Sequence, residues 1–308
     1  MHSITPKDDL HHKHVFTFNF REVIGFILYW LYLPIFKLKK EQCLSIYMHN
    51  PSPLLFEKII KWLKQNGYKI ISLDELNRYL HSENWSKEKL AFISFDDGWQ
   101  ENLKLLPIIC KYQTPITIFV TTEPIDSGNY WWEFAIKESD NMSIAKLKQT
   151  PHHLFVQYID RLKKKYKLNR SSITESELIA LINNPLVSVQ SHTVTHPILT
   201  NCTEKEQITE LVSSKEYLQA RTSKKIYVFS YPNGDYNDEV IKNVETAGYK
   251  FAFTTEQRHI RKTDKRNLLA LPRVAINTNG GYYENISKII TIWQKIIKIR
   301  LHERIINQ

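Results

Sequence analysis

Short apolar segments alternate with longer amphipathic segments along the chain from residue 43 onward. The short segments are typical of buried strands, and the long ones repeat apolar residues with the period of a helix. Predicted strands cover residues 44–48, 69–72, 90–95, 116–120, 186–190, 226–230, 251–254 and 271–276. Predicted helices cover residues 53–66, 73–81, 99–112, 204–220 and 237–247. The alternation predicts an α/β protein with a parallel sheet, open or closed into a barrel, and a site at the carboxyl ends of its strands.

The same pattern divides the chain into three segments. Residues 1–42 are predicted to be a tail and an apolar helix with a basic end, 43–281 the α/β domain, and 282–308 a basic amphipathic helix. Residues 126–184 interrupt the alternation and are predicted to form a mostly helical insertion. Trp131 and Trp132 open this insertion, where they either stack on a bound sugar or fix the insertion to the domain.

The apolar run 23–36 bears on localisation. A helix that spans a bilayer needs about 20 apolar residues, whereas this run contains Pro34 and is preceded by Arg21 and Glu22. The small-residue cleavage site of a secretory signal is also missing. We expect a helix that packs on the domain or lies in a membrane interface, and a protein that is cytoplasmic or peripherally membrane-associated.

Composition narrows the classes of partner. The 308 residues are 42% hydrophobic and 24% charged, which suits a large folded core. A net charge of +10 favours anionic partners, but no nucleic-acid-binding motif accompanies it, so we expect no nucleic-acid partner. Three widely spaced cysteines indicate neither a disulfide framework nor a thiolate metal site.

Two adjacent carboxylates, Asp96 and Asp97, end the predicted strand 90–95. Consecutive side chains of an extended backbone point in different directions, so one carboxylate can bind a cation while its neighbour accepts a proton. An Asp-Gly pair after a core strand is also a common turn.

Two histidines, His192 and His196, follow the predicted strand 186–190. They can share one metal ion if the backbone curls between them, and Asp97 would complete a ligand set used by hydrolytic metal sites. A pair of loop histidines by itself is more often a solvated surface.

Two further strand ends carry candidate groups. His49 follows the first strand and is either a loop residue or a proton donor, a role that suits the imidazole group. Tyr231 and Asn233 lie in a Tyr-Pro-Asn-Gly segment, which is either a plain turn or a source of backbone N–H groups for an oxyanion.

Three motifs together resemble the polysaccharide deacetylases of carbohydrate esterase family four. They are SFDDG at 94–98, SHTVTHP at 191–197 and YPNGDYN at 231–237. The likeness covers roughly residues 44–276 and implies a deformed (β/α)7 barrel, here with the helical insertion.

The resemblance also implies roles for the candidate residues. Asp96 corresponds to the catalytic base, and Asp97, His192 and His196 correspond to the ligands of one divalent metal ion, usually Zn²⁺. The N–H of Asn233 corresponds to the oxyanion donor, and Tyr231 begins the same motif.

Two positions show how this sequence relates to the rest of the family. His49 resembles the early acid histidine of the permuted form that acts on poly-N-acetylglucosamine exopolysaccharide. The third motif usually carries an arginine that contacts the base, and Ser230 stands there instead. Arg273 is the candidate to supply that charge from another strand.

The expected function is therefore metal-dependent removal of N-acetyl groups from an amino-sugar glycan, with release of acetate. Two alternatives remain: an esterase that acts on O-acetyl groups, and a sugar-binding or scaffold protein built on the same barrel with weakened catalysis. The missing third-motif arginine is the feature that keeps the second alternative open.

Overall fold

The structure is a computed structural model that describes residues 20–34, 41–83, 85, 87–138 and 144–296. The predicted tail, the lysines at 37, 39 and 40, and residues 297–308 lie outside the described residues. Within the described residues, no helix is both long and apolar enough to cross a membrane.

The described residues up to Ile289 form nine strands and twelve α-helices. The strands are β1 Gln42–Met48, β2 Tyr68–Ile70, β3 Lys89–Phe95, β4 Ile116–Val120, β5 Val187–Ser191, β6 Val228–Ser230, β7 Phe251–Phe253, β8 Ile260–Arg261 and β9 Val274–Ala275. The helices are α1 Phe20–Tyr32, α2 Pro53–Gln65, α3 Leu73–His81, α4 Leu106–Tyr112, α5 Glu123–Ser127, α6 Trp131–Lys137, α7 Ile144–Leu147, α8 His152–Lys165, α9 Glu175–Ile182, α10 Glu204–Thr222, α11 Asp238–Thr246 and α12 Tyr282–Ile289.

The strands form one curled sheet, in which β7-β6-β5-β4-β3-β1 are parallel neighbours in that order. Strand β2 pairs in parallel with β3, and β8 pairs antiparallel with the start of β1. Strand β9 pairs in parallel with the other side of β1, while Phe253 at the end of β7 forms a parallel bridge with Leu271. The segment 271–275 thus joins β7 to β1 and curls the sheet round on itself. The predicted deformed (β/α) barrel is confirmed.

The parallel strands are buried on both faces, which is why they read as nearly continuous apolar runs. All five residues of β4 are buried, as are all residues of β3 except Lys89. The rings of Phe92, Phe119 and Phe253 pack together inside the curled sheet, with Phe92 and Phe253 stacked 5.3 Å apart. This cluster of three phenylalanine rings lies beneath the carboxyl ends of the strands.

The segment between β4 and β5 is helical, as predicted, and contains α5 to α9. Its residues Trp131, Phe134, Phe155 and Leu162 form a separate apolar cluster. The insertion therefore has its own small core beside the barrel.

Two predicted helices differ from the observed ones. Residues 99–112 are not one helix, because a 3-10 helix over Gln100–Leu105 precedes α4, whose first turn holds Pro107. Proline suits the first turn of a helix and disfavours helical backbone just before it. The C-terminal helix breaks after Ile289, since Thr291 adopts a left-handed backbone with φ 60°.

Candidate metal centre

Three side chains from the ends of two strands converge on one point: Asp97 after β3, and His192 and His196 after β5. Asp97 follows β3, and its Oδ1 lies 3.5 Å from His192 Nε2 and 3.6 Å from His196 Nε2. The three ligand atoms all lie within 4.8 Å of one another, and all three residues are buried. Such convergence of one carboxylate and two imidazoles is typical of a divalent metal site.

Left-handed backbone makes this convergence possible. Asp97 has φ 77°, which turns its carboxylate away from that of Asp96. Thr193 and His196 have φ 70° and 58°, so the loop curls between the two histidines, and the His196 N–H donates to Thr193 Oγ1 at 3.0 Å. Non-glycine residues rarely adopt this conformation, and they cluster at functional sites.

The histidines are prepared to act as neutral ligands. Burial lowers the pKa of His192 despite the opposing charges of Asp96 and Asp97, and burial together with His192 lowers the pKa of His196 well below its usual range. His192 Nδ1 lies 2.8 Å from the Ser230 carbonyl. A proton on Nδ1 would donate to that carbonyl, leaving the Nε2 lone pair directed at Asp97.

A divalent ion fits this donor set. Trp99 Nε1 donates to Asp97 Oδ2 at 2.8 Å, but Asp97 Oδ1 is buried without a hydrogen-bond partner among the described residues. An unpartnered buried carboxylate oxygen is costly. Two imidazole nitrogens and one carboxylate oxygen are ligands that Zn²⁺ accepts, and three protein ligands leave a position open for reactants.

The second carboxylate, Asp96, is held by Arg273. Arg273 Nη1 and Nη2 donate to the two oxygens of Asp96 at 2.7 and 2.9 Å, and both side chains are almost fully buried. Arg273 also donates to Ser94 Oγ at 3.0 Å and to Ser230 Oγ at 2.7 Å. Its guanidinium lies over the Tyr47 ring, 4.4 Å from the centroid. The structure therefore places Arg273 where the third-motif arginine was missing, with Ser230 as a partner of both groups.

This environment fixes the charge of Asp96. Burial would raise its pKa, but Arg273, with smaller contributions from His192 and His49, lowers it to about 2. Asp96 is therefore ionised at neutral pH and oriented by a two-point contact. The two neighbouring carboxylates thus have different surroundings, since Asp96 is paired with Arg273 whereas Asp97 faces the two histidines.

A cavity of about 470 Å³ opens over both carboxylates. His49 lines it from an exposed position beyond β1, with its ring 5.7 Å from that of Tyr47. Trp132 is half-buried in the wall, stacked on Tyr130 at 4.7 Å and edge-on to His196 at 4.9 Å. The structure thus brings the predicted acid, base and metal ligands to one cavity, and their chemical roles stay predictions.

The other predicted residues occupy the wall and rim. Asn233 is exposed, has φ 58°, and accepts a hydrogen bond from Lys148 of the insertion on its side-chain oxygen. Tyr231 is fully buried, and its hydroxyl donates to the Leu269 carbonyl at 2.9 Å. Trp131 is buried and donates from Nε1 to the His196 carbonyl at 3.1 Å. Trp131 therefore fixes the insertion to the histidine loop.

One carboxylate of the site was missed by sequence reasoning. Glu210 on α10 accepts hydrogen bonds from the N–H groups of Val194 and Thr195 at 2.7 and 2.9 Å and from Thr195 Oγ1 at 2.7 Å. It is buried, and burial raises its pKa against the effect of these hydrogen bonds. Glu210 thereby holds the loop between the two histidines. Nothing near Glu210 in the sequence marks it, because its partners are 15 and 16 positions away.

The fold and this site define an α/β-barrel protein with a candidate hydrolytic metal centre. The profile of the polysaccharide deacetylase family matches residues 83–252, which is more than half of the chain. The chain belongs to the polysaccharide deacetylase family.

Individual relatives agree with this assignment. The chain is 27% identical over 237 residues to the Bacillus subtilis protein YxkH, which covers 75% of this chain and 69% of that protein. It is 25% identical over 248 residues to the poly-β-1,6-N-acetyl-D-glucosamine N-deacetylase of Staphylococcus aureus, covering 77% and 71%. Among solved structures, IcaB from Ammonifex degensii superposes with a TM-score of 0.60 at 15% identity, covering 81% of this chain and 97% of that one. The Streptococcus pyogenes deacetylase PplD superposes with a TM-score of 0.53 at 22% identity, and the match covers 80% of this chain and 96% of that one. These two structures show the same fold.

Proposed function

We propose that this protein is a metal-dependent hydrolase that removes N-acetyl groups from an amino-sugar glycan and releases acetate. The observation that carries the proposal is the shared cavity, which places an arginine-paired carboxylate beside a buried Asp-His-His cluster. Asp97, His192 and His196 would hold the ion. The chemistry that a bound divalent ion such as Zn²⁺ supplies is polarisation of the acetyl carbonyl and acidification of water.

Asp96 is the proposed general base. A carboxylate with a pKa of about 2 is a weak base, so it can take a proton only from water that is already acidified. Its two-point contact with Arg273 fixes the carboxylate, and positioning of this kind favours proton transfer. Arg273 therefore acts as a positioning residue.

His49 is the proposed general acid. Deacetylation produces a free amine, which must receive a proton as the C–N bond breaks. His49 lines the cavity from its exposed rim, where it can exchange protons with solvent between turnovers. The N–H of Asn233, on the opposite loop, is the proposed donor to the developing oxyanion.

The proposed substrate is a glycan of N-acetylglucosamine, with the poly-β-1,6-linked polymer as the leading candidate because the Staphylococcus aureus relative bears that activity in its name. A cavity of about 470 Å³ falls in the range of small-molecule sites. The half-buried ring of Trp132 offers a surface on which a sugar can stack.

Acetate release from N-acetylglucosamine oligomers tests the proposal. We expect release by the zinc-loaded protein and loss of release in Asp96→Asn, which keeps the shape of the side chain. Full activity in Asp96→Asn would contradict the assigned base. Release from O-acetylated sugars alone would identify an esterase, and sugar binding without any release would identify a binding protein.

A further inference from the structure

The carboxylate of Asp97 accepts a single hydrogen bond among the described residues, and Trp99 supplies it. Trp99 Nε1 donates to Asp97 Oδ2 at 2.8 Å. Asp97 Oδ1, which faces the two histidines, has no such partner. An indole N–H can only donate, so the two oxygens of Asp97 have different surroundings. One oxygen is occupied by Trp99, and the other is left free for an ion.

Burial alone does not explain this contact. A fully buried indole N–H needs an acceptor inside the protein, but an indole at the edge of a cavity can donate to water. Trp99 is only partly buried and lines the cavity. Its N–H nevertheless donates inward, to a carboxylate whose residue is 2% exposed. The direction of this N–H therefore indicates that Trp99 orients Asp97.

The loop between α8 and α9 fixes the backbone on both sides of Trp99. The Ile173 N–H donates to the Gly98 carbonyl at 3.1 Å, and the Gln100 N–H donates to the Ser171 carbonyl at 2.8 Å. Gly98 has φ 91°, a conformation that favours glycine. The chain therefore leaves the carboxylate motif in a direction that the insertion holds in place.

Aromatic rings of the insertion hold the indole of Trp99. The ring centroid of Tyr130 lies 4.6 Å from that of Trp99, and the ring centroid of Trp132 lies 6.3 Å from it. Tyr130 is itself only 1% exposed and stacks on Trp132. These contacts fix the indole before an ion binds, as is required of a residue that supports a metal ligand.

We propose that Trp99 is a positioning residue that limits Asp97 to one metal-binding oxygen, Oδ1, and so keeps a position on the ion open for reactants. A carboxylate can bind a cation through one oxygen or through both, and a second oxygen would occupy a further position. Hydrogen bonds to the outer atoms of metal ligands orient these ligands and support metal affinity. This inference rests on the metal-dependent function proposed above, but it concerns the metal site and not the substrate.

Zinc affinity and the visible spectrum of the cobalt-loaded protein test the proposal without any substrate. In Trp99→Phe, chelator competition should show a zinc affinity about 10- to 100-fold lower than in the wild type. The visible absorption of Co²⁺ weakens when ligands are added to a four-coordinate site. At saturating Co²⁺ it should be weaker in Trp99→Phe, because Asp97 can then offer both oxygens. Benzothienylalanine at position 99 keeps the size of the ring, replaces the N–H by sulfur, and should give the same two changes.

Trp62 supplies a matched control. It is buried on α2, does not line the cavity, and donates from Nε1 to the Tyr29 hydroxyl at 3.4 Å. Trp62→Phe therefore removes the same ring and donor elsewhere, and it should leave the zinc affinity and the cobalt spectrum unchanged. Wild-type zinc affinity or a wild-type cobalt spectrum in both variants of position 99 would overturn the inference and leave the proposed function standing. A wild-type protein that binds no zinc would overturn both.

Discussion

Replacing Arg273 by methionine gives the sharpest test of the buried pair beneath the cavity. Methionine keeps the bulk of the side chain among the surrounding aromatic rings but removes five donors. Asp96 would then be a buried carboxylate without its counter-charge, and Ser94 and Ser230 would each lose a hydrogen bond. Removing one partner of a buried ion pair costs about 3–5 kcal/mol of folding free energy. We expect Arg273→Met to destabilise the protein by that amount at neutral pH.

The pH dependence of this loss identifies its cause. In the wild type, Asp96 has its pKa lowered from 3.8 to about 2, so the pair stabilises the fold above about pH 4 and loses that contribution as pH falls through 2. Without Arg273, the largest effect that lowers the pKa of Asp96 is lost, and this pKa moves upward. The variant then loses stability as pH rises, because ionisation of an unpaired buried carboxyl is unfavourable. The destabilisation should therefore be larger in neutral than in mildly acidic buffer.

Urea unfolding measures the free energy of unfolding of four proteins: the wild type, Arg273→Met, Asp96→Asn and the double variant. The double variant should be at least about 1 kcal/mol more stable at neutral pH than Arg273→Met alone, since the carboxylate that Arg273 neutralised is gone. A loss below about 1 kcal/mol in Arg273→Met would refute the reasoning. The reasoning would also be refuted if the loss of stability in the double variant equalled the sum of the losses in Arg273→Met and Asp96→Asn.

Three further predictions concern residues around the metal centre. His196→Ala should abolish stable binding of Zn²⁺, which metal analysis after dialysis measures; retention of a full equivalent would contradict its place in the ligand set. Glu210→Ala should weaken zinc affinity by about 10- to 100-fold in a chelator competition, because the loop between the histidines loses its support. Glu210→Gln should lose less zinc affinity than Glu210→Ala, and Glu216→Ala, at an exposed position on the same helix, should leave zinc affinity unchanged. His49→Ala should lower turnover by about 10²- to 10⁴-fold with zinc affinity unchanged, and steady-state kinetics at wild-type rate would exclude it as the acid.

Much of the barrel could be predicted from the sequence because its parallel strands are buried on both faces. The strand Ile116–Val120 and the helix Leu73–His81 begin and end where the pattern predicts. Closure of the sheet was beyond the pattern, since the segment 271–275 pairs with strands far from it in the chain. The break at Thr291 was also missed, because the apolar periodicity continues across it.

In the site, too, residues in short sequence motifs could be predicted, whereas contacts between residues far apart in the sequence could not. Asp96, Asp97, His192 and His196 stand at strand ends in short motifs, so their convergence could be expected from a parallel sheet. Arg273 was suggested by the gap at Ser230, but only the structure shows its contact with both oxygens of Asp96. Glu210 lies in the middle of an ordinary helix, and its contacts depend on how that helix packs against the loop.

Titration of the metal-free protein with Zn²⁺, followed by acetate release from N-acetylglucosamine oligomers, tests the central claim most directly. Activity should rise linearly and reach its plateau at one equivalent of zinc in the wild type. Asp96→Asn should bind the same single equivalent while acetate release falls by at least about 10²-fold. Acetate release that does not depend on added metal, or that persists in Asp96→Asn, would contradict the account.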